Sequence, residues 1–209
     1  MITEEMLLSL RSDIENKMSP KRFNHTAEVE KMAERLGELY APHEIPTLRA
    51  AALLHDITKE YSADRQLLIC AEQGLCVCRE ELCAPKTFHA RTAAALIPTL
   101  YPDFAEEEII SAVRWHTTGK RNMSICEKLV YLADYIDMSR TFSDCVRLRE
   151  YFFSAEPQKM SEAERVAHLN DTLILSFDMT ILALMEEGGV VSPHTIEARN
   201  YLIAEKKLK

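Results

Sequence analysis

Apolar residues recur along this chain every three to four positions, a spacing that predicts helices rather than strands. The expected helices lie near 3–17, 20–40, 47–57, 62–73, 88–99, 105–116, 125–138, 143–152, 161–187 and 193–206, with a break allowed inside the longest. Polar residues mark where they start. Ser19-Pro20 and Ser192-Pro193 place a capping hydroxyl before a proline at the first helical position. Ser124 with Glu127, and Ser161 with Glu164, match reciprocal capping boxes. Gly188-Gly189 stops the apolar helix before it. No stretch alternates apolar and polar residues as a half-buried strand would, and there is no internal repeat or low-complexity linker. The expectation is a single all-α domain over 1–209. Residues 1–140 would carry the functional centre, and the helices of 141–209 would pack on its side and complete a pocket.

Composition narrows the partners. The formal net charge of −8 argues against nucleic acid or a membrane surface as partner. A small anionic substrate stays compatible, because a bound metal reverses the local field. The N-terminal MITEEMLLSL lacks a basic start and a long apolar stretch, so no secretory signal is expected. Residues 173–185 are too few to span a bilayer and include Asp178. The chain therefore reads as cytoplasmic. Its six cysteines are expected to be free thiols. Four of them fall in CAEQGLCVCREELC, which lacks a repeated C-x-x-C spacing, so packing or incidental thiols outrank a zinc site.

Histidines and aspartates carry the candidate chemistry. His25 shares a helical stripe with Val29, Met32 and Leu36 and so faces inward, where an ordinary buried histidine is the plain alternative. His55 and Asp56 follow the run Ala50 to Leu54, a helix apolar on every side and hence buried. A carboxylate there is costly unless paired or metal-bound. Lys59, one turn on, can reach a phosphate or simply be a solvated lysine. His89 opens a helix whose first-turn amides, around Ala90, Arg91 and Thr92, can meet an anion. His116 ends the stripe of Ile109, Ala112 and Val113, and Asp134 shares a face with Val130 and Tyr131. Imidazole and carboxylate donors together suit iron, manganese, cobalt, nickel or zinc. His43, His168 and His194 sit in polar or loop settings and are not expected to be ligands. Tyr131, Tyr135, Trp115 and Phe142 are candidates for stacking on a base, though core packing explains aromatic residues at this spacing equally well.

The order His25, then His55-Asp56, then Asp134 resembles the HD phosphohydrolase superfamily. The segments RFNHTAEV, AALLHDITK, FHARTAA, AVRWHTTGK, KLVYLADYID and SPHTIEARNYL extend that likeness over nearly the whole chain. Together they resemble the YqeK-type branch, the symmetrical diadenosine tetraphosphate hydrolases. That resemblance implies a helical, iron-binding enzyme, with one or two ions, that yields ADP; manganese, cobalt or another divalent metal is the alternative. It implies His25, His55, Asp56 and Asp134 as metal ligands. His89 and His116 would hold a second metal or hydrogen-bond phosphate. Arg22 matches the R-x-x-H pattern. Arg140, with Thr141 beside it, would contact nucleotide, and Arg199 is a further candidate of that kind. The family commonly has a proline and glycine before this arginine, whereas here the residues are Met138 and Ser139. Homodimerisation is left open.

The implied catalytic residues are Asp56, Lys59 and His116. Water made acidic by the metal would attack one of the two central phosphorus atoms in line. Arg140, with Lys59 or Arg22, would offset charge on the phosphate oxygens, and His116 or His89 would protonate the leaving group. Two other readings compete. One is an HD phosphohydrolase acting on a nucleoside triphosphate or a guanosine polyphosphate. The other is a non-catalytic nucleotide sensor that keeps the metal site.

Overall fold

A computed structural model describes residues 2–208. Among them are eleven α-helices and no strand, as the periodicity requires. They are α1 (Glu4–Lys17), α2 (Pro20–Tyr40), α3 (Ile45–Leu54), α4 (Ala63–Glu72), α5 (Arg79–Leu82), α6 (Phe88–Leu100), α7 (Glu107–Trp115), α8 (Ile125–Ile136), α9 (Ser143–Ser154), α10 (Glu162–Glu186) and α11 (Pro193–Leu208).

The caps expected at Ser19, Ser124 and Ser161 form. The Ser19 hydroxyl accepts from the Arg22 amide at 3.3 Å. Ser124 with Glu127 and Ser161 with Glu164 close both capping boxes. Caps of this kind each stabilise a helix by about 1 kcal/mol. α10 runs unbroken, so the allowed break is absent, and Gly188 at φ +67° ends it. The short α5 was not expected.

α3 is the hub. Leu48 and every residue from Ala50 to Leu54 are fully buried, and α1, α2, α7 and α8 pack around them. Fully burying one leucine is worth about 1.5–3 kcal/mol, so this all-round apolar helix belongs at the centre. Its approach to α2 is close: a Cβ at Gly37 would stand 2.9 Å from both the Ile45 and Leu48 side chains. The later helices join the same core through Leu148 and Phe152 of α9, Leu169 and Phe177 of α10, and Leu202 of α11. Among the described residues no helix is long and apolar enough to cross a membrane.

Two helices end earlier than their apolar patterns suggest. α3 stops at Leu54 and α7 at Trp115, so His55 and His116 occupy the first position beyond each helix. Asp56 then lies in a turn rather than within a helix, and the chain continues in tight turns to Glu60. Bonds from Ile57 N–H to Leu54 C=O and from Lys59 N–H to Asp56 C=O, each three residues back, draw this segment in. The turn, and not a helical 100° step, sets the angle between His55 and Asp56.

Candidate metal centre

Each cluster residue arrives from a different element. His25 comes from α2, His55 and Asp56 from the end of α3, His89 from the first turn of α6, His116 from the end of α7 and Asp134 from α8. The four histidines and Asp56 are all buried, and Asp134 is largely so. The His25 and His55 rings are centred 5.5 Å apart; His55–His116 and His89–His116 are each 5.0 Å apart.

One local device is used twice. His55 Nδ1 donates to the Ala52 carbonyl at 2.6 Å, and His116 Nδ1 donates to the Val113 carbonyl at 2.7 Å. Each ring ties itself to the carbonyl three residues back, at the end of its own helix. The proton is thereby fixed on Nδ1, and Nε2 presents a lone pair to the centre. Apolar helices ending in histidine make this geometry local, which is why both residues could be singled out from sequence.

The two sides of the cluster differ. On one, His25 Nε2 stands 3.0 Å from Asp134 Oδ1 and 3.8 Å from Asp56 Oδ2. Its Nδ1 faces Ser139 Oγ at 3.2 Å and Asp137 Oδ2 at 3.4 Å. Arg22 Nη1 donates to Asp56 Oδ2 at 2.6 Å, and Arg140 pairs with Asp134 through both its carboxylate and its backbone carbonyl. On the other side, His89 Nε2 and His116 Nε2 face each other at 3.0 Å. His89 Nε2 is also 3.2 Å from Asp56 Oδ1, and Lys59 Nζ lies 3.1 Å from it.

Electrostatics follows this division. Burial alone would lower the His25 pKa, but the carboxylates of Asp134 and Asp137 outweigh it and raise the value to about 9. Burial dominates for His89 and drops it to about 4, with Lys59 and His55 adding to the effect. His116 falls well below its ordinary value for the same reason, helped by His55 and His89. Burial would raise the carboxyls of Asp56 and Asp134, but His55, His89 and Lys59 around the first and Arg140, His25 and His55 around the second hold both well below the usual range. Burial also lowers the Lys59 ammonium, despite Asp56 and Asp134.

Does this donor set fit a metal? Nε2 of His25, Nε2 of His55 and Oδ1 of Asp56 are buried without an aligned hydrogen bond. Buried polar atoms are rarely left so, and three converging here call for a cation. Two overlapping groups bring their donor atoms within 4.8 Å of one another: His25, His55 and Asp134, and His55, Asp56 and His116. Ionised carboxylates with neutral imidazole lone pairs are the donors a divalent transition metal takes.

The remaining expected residues are placed unevenly. Arg22, Lys59 and Arg140 reach the cluster, and Thr141 is exposed beside Arg140. Ala90 and Thr92 are buried in α6, and the Thr92 hydroxyl bonds Thr58 Oγ1 at 2.7 Å instead of facing an open site. Arg91 turns to Glu81 Oε1 at 2.8 Å and to the Cys76 carbonyl. Arg199 pairs with Asp178 on α10. Of the stacking candidates, Tyr131 is core, its hydroxyl 3.1 Å from Ser176 Oγ.

Asp137 escaped the sequence reading. It is fully buried at the end of α8, and its Oδ2 has no hydrogen bond while facing His25 Nδ1 and, at 3.4 Å, Arg140 Nε. The available signal was its place three residues after Asp134, on the same helical face. Arg149 from α9 supports the loop, donating to the carbonyls of Asp137 and Arg140.

Comparison with known proteins agrees with this arrangement. A family model described as the HD domain matches residues 22–139. A symmetrical bis(5'-nucleosyl)-tetraphosphatase of Bacillus subtilis (strain 168) is 28% identical over 197 residues, covering 91% of this chain and 94% of that protein. One so named from Staphylococcus aureus (strain NCTC 8325 / PS 47) is 27% identical over 187 residues, 88% of each. A crystal structure from Clostridium acetobutylicum, described as a predicted HD superfamily hydrolase involved in NAD metabolism, superposes with a TM-score of 0.81. It is 30% identical in sequence, over 94% of this chain and 96% of that one.

Proposed function

This chain belongs to the HD domain family of metal-dependent hydrolases, and from that premise we propose that its substrate is diadenosine tetraphosphate or a related dinucleoside tetraphosphate, cut symmetrically into two nucleoside diphosphates. The observation that carries the reading is a buried cluster in which two donor groups overlap at His55, one of His25, His55 and Asp134 and one of His55, Asp56 and His116, flanked by Arg22, Lys59 and Arg140. Likeness to curated symmetrical tetraphosphatases over about nine-tenths of the chain supports the substrate class.

In this reading those four residues hold the first metal, with iron as the expected ion. A divalent cation in such a site makes water acidic enough to act as a nucleophile near neutral pH. The bond that forms joins the water oxygen to one central phosphorus, and the bond that breaks links that phosphorus to the bridging oxygen. Arg140 and Arg22 present planar guanidiniums, which grip phosphate oxygens in two-pronged fashion once the substrate competes with Asp134 and Asp56. Lys59 adds a third positive group beside His89. Charge on the transferring group is thus met from three directions, the main task of a phosphoryl-transfer site.

His89 and His116 enter as neutral imidazoles at pH 7. With its Nδ1 proton given to the Val113 carbonyl, neutral His116 offers Nε2 only as a lone pair, which suits a metal ligand; His89, whose nitrogens bond no carbonyl, can also donate to a phosphate oxygen, and neither suits a general acid. The departing nucleoside diphosphate then leaves as an anion steadied by the arginines, and the proton shed by the attacking water passes to solvent. The helices after residue 141 complete the pocket side of the same domain.

The test is the product. Diadenosine tetraphosphate given to anaerobically prepared protein should yield ADP alone by anion-exchange chromatography. Equal AMP and ATP would reject the symmetrical cut. Inertness toward it, with turnover of a nucleoside triphosphate or a guanosine polyphosphate, would move the chain to another HD phosphohydrolase activity.

A further inference from the structure

Buried polar atoms without a hydrogen bond gather in a second place besides the metal centre. Arg91 Nε and Thr117 Oγ1 are both of this kind, and both residues line a cavity of about 610 Å³. The cavity lies between α5, the start of α6, the turn after α7 and the ends of α10 and α11. Arg114 also lines it, partly buried, with its guanidinium carbon 4.3 Å from the centre of the Trp115 ring. Trp115 in turn meets His194, on the cavity wall, with ring centres 4.8 Å apart.

Formal charge on the cavity lining is balanced, in a chain of net charge −8. Lys86, Arg91 and Arg114 line the cavity together with Glu80, Glu81 and Glu187; Glu81 pairs with Arg91, while Arg114 makes no ion pair among the described residues. Burial and the like charge of Arg91 lower the Arg114 pKa to about 10. Holding two cations together in a half-enclosed space is costly unless an anion joins them.

The cavity is separate from the metal cluster although the same helix ends build both. His89 and Arg91 are two residues apart, as are Arg114 and His116. Two residues on a helix point roughly 200° apart, so histidines face the cluster while arginines face away from it.

We propose that this cavity is a second nucleotide-binding site, with a phosphate held between Arg91 and Arg114 and the nucleoside against the apolar wall of Leu184 and Val190. Paired guanidiniums match phosphate oxygens. The volume lies in the usual range for small-molecule sites. Glu80 and Glu187 on the lining supply acceptors for ribose hydroxyls or a base amino group. The nucleotide comes either as a free mononucleotide or as the far end of a dinucleotide whose phosphates lie at the metal centre. The binding does not depend on which reaction the metal centre catalyses.

Trp115 is the chain's one tryptophan, so its fluorescence reports on this wall. Full-length Asp56→Ala protein, with the metal centre disabled, is titrated with ADP, using inorganic phosphate as a second probe. A saturable fluorescence change, matched by calorimetry, is expected. Adding Arg114→Gln should weaken ADP binding about tenfold or more, the scale of one lost charge-assisted interaction. Val190→Phe, which narrows the cavity without removing a charge, should weaken it comparably with an unchanged circular dichroism spectrum, and it carries the test if Arg114→Gln misfolds. In the otherwise native chain, Arg114→Gln separates the two sources. A raised KM for the dinucleotide identifies the far end of the substrate; an unchanged KM with loss of the response to added ADP identifies a free nucleotide. The proposal is overturned if Asp56→Ala abolishes ADP binding, or if ADP binds folded Val190→Phe and Arg114→Gln as tightly as their parent.

Discussion

The two sides of the metal centre use the same residue type to opposite ends. His25 lies among Asp134, Asp137 and Asp56 and favours the charged state, with a pKa of about 9. His89, buried beside Lys59 and His116, favours the neutral state, with a pKa of about 4. Burial pushes both values down; the carboxylates of Asp134 and Asp137 overcome it at His25, whereas at His89 burial prevails despite Asp56. The His25 side gathers carboxylates around an imidazole, a donor set suited to a cation. The His89–His116 side offers uncharged donors next to an ammonium, a setting in which either a second ion or phosphate oxygens are at home.

This contrast can be broken most sharply at the ligands. Asp56→Ala should lose both bound metal and turnover, the latter by more than about 10³-fold, the scale of a principal electrostatic group in a catalytic site. Metal analysis of the purified variant checks the first and steady-state kinetics the second. Metal retained at full occupancy would remove Asp56 from the expected ligand set.

Asp137→Asn should act less strongly and through His25. Loss of the carboxylate behind Nδ1 should weaken metal affinity by about 10- to 100-fold, the usual effect of removing a group that orients a ligand. Competition with a chelator reads this directly, and the thermal transition of the metal-free protein should move little by comparison. An unchanged affinity would reduce Asp137 to a cap of the loop after α8.

His116→Ala should leave the first metal largely in place while lowering kcat/KM by about tenfold or more, as expected for one lost interaction with the transition state. Loss of all metal would instead unite the two sides into one site.

The smallest effect concerns protons. Because His25 carries a proton up to about pH 9 in the metal-free protein, loading at pH 7 should release about one proton. Calorimetry in buffers of different ionisation enthalpy measures it. Apparent affinity should fall about tenfold per pH unit as pH drops below 9. The same shift has a stability sign. The raised His25 value favours the folded metal-free protein below pH 6.5, and that contribution is lost as pH rises toward 9. The depressed His89 value works the other way and costs stability as pH falls from 6.5 toward 4. Metal should flatten the alkaline limb.

Much of the cluster was legible in the sequence because each of its histidines is written locally. An apolar helix ending in histidine specifies both His55 and His116, and a single inward stripe specifies His25. The boundaries slipped at α3 and α7 because periodicity continues through the histidines, whereas each ring bonds the carbonyl three residues back and the helix gives way there. Asp137 was missed because its role depends on where α8 ends. The first turn of α6 was read for its backbone amides around Ala90, Arg91 and Thr92, and that spacing says nothing of the Arg91 side chain, which points across to Glu81. The cavity beside it draws its walls from several separate segments, so no spacing in the sequence announces it.

The central claim is the location of the first ion. Anomalous diffraction at the iron edge, from crystals of anaerobically prepared protein, should place a single strong peak among His25, His55, Asp56 and Asp134. A peak confined to His89 and His116, or one at the exposed thiols of Cys76, Cys78 and Cys83, would contradict the account.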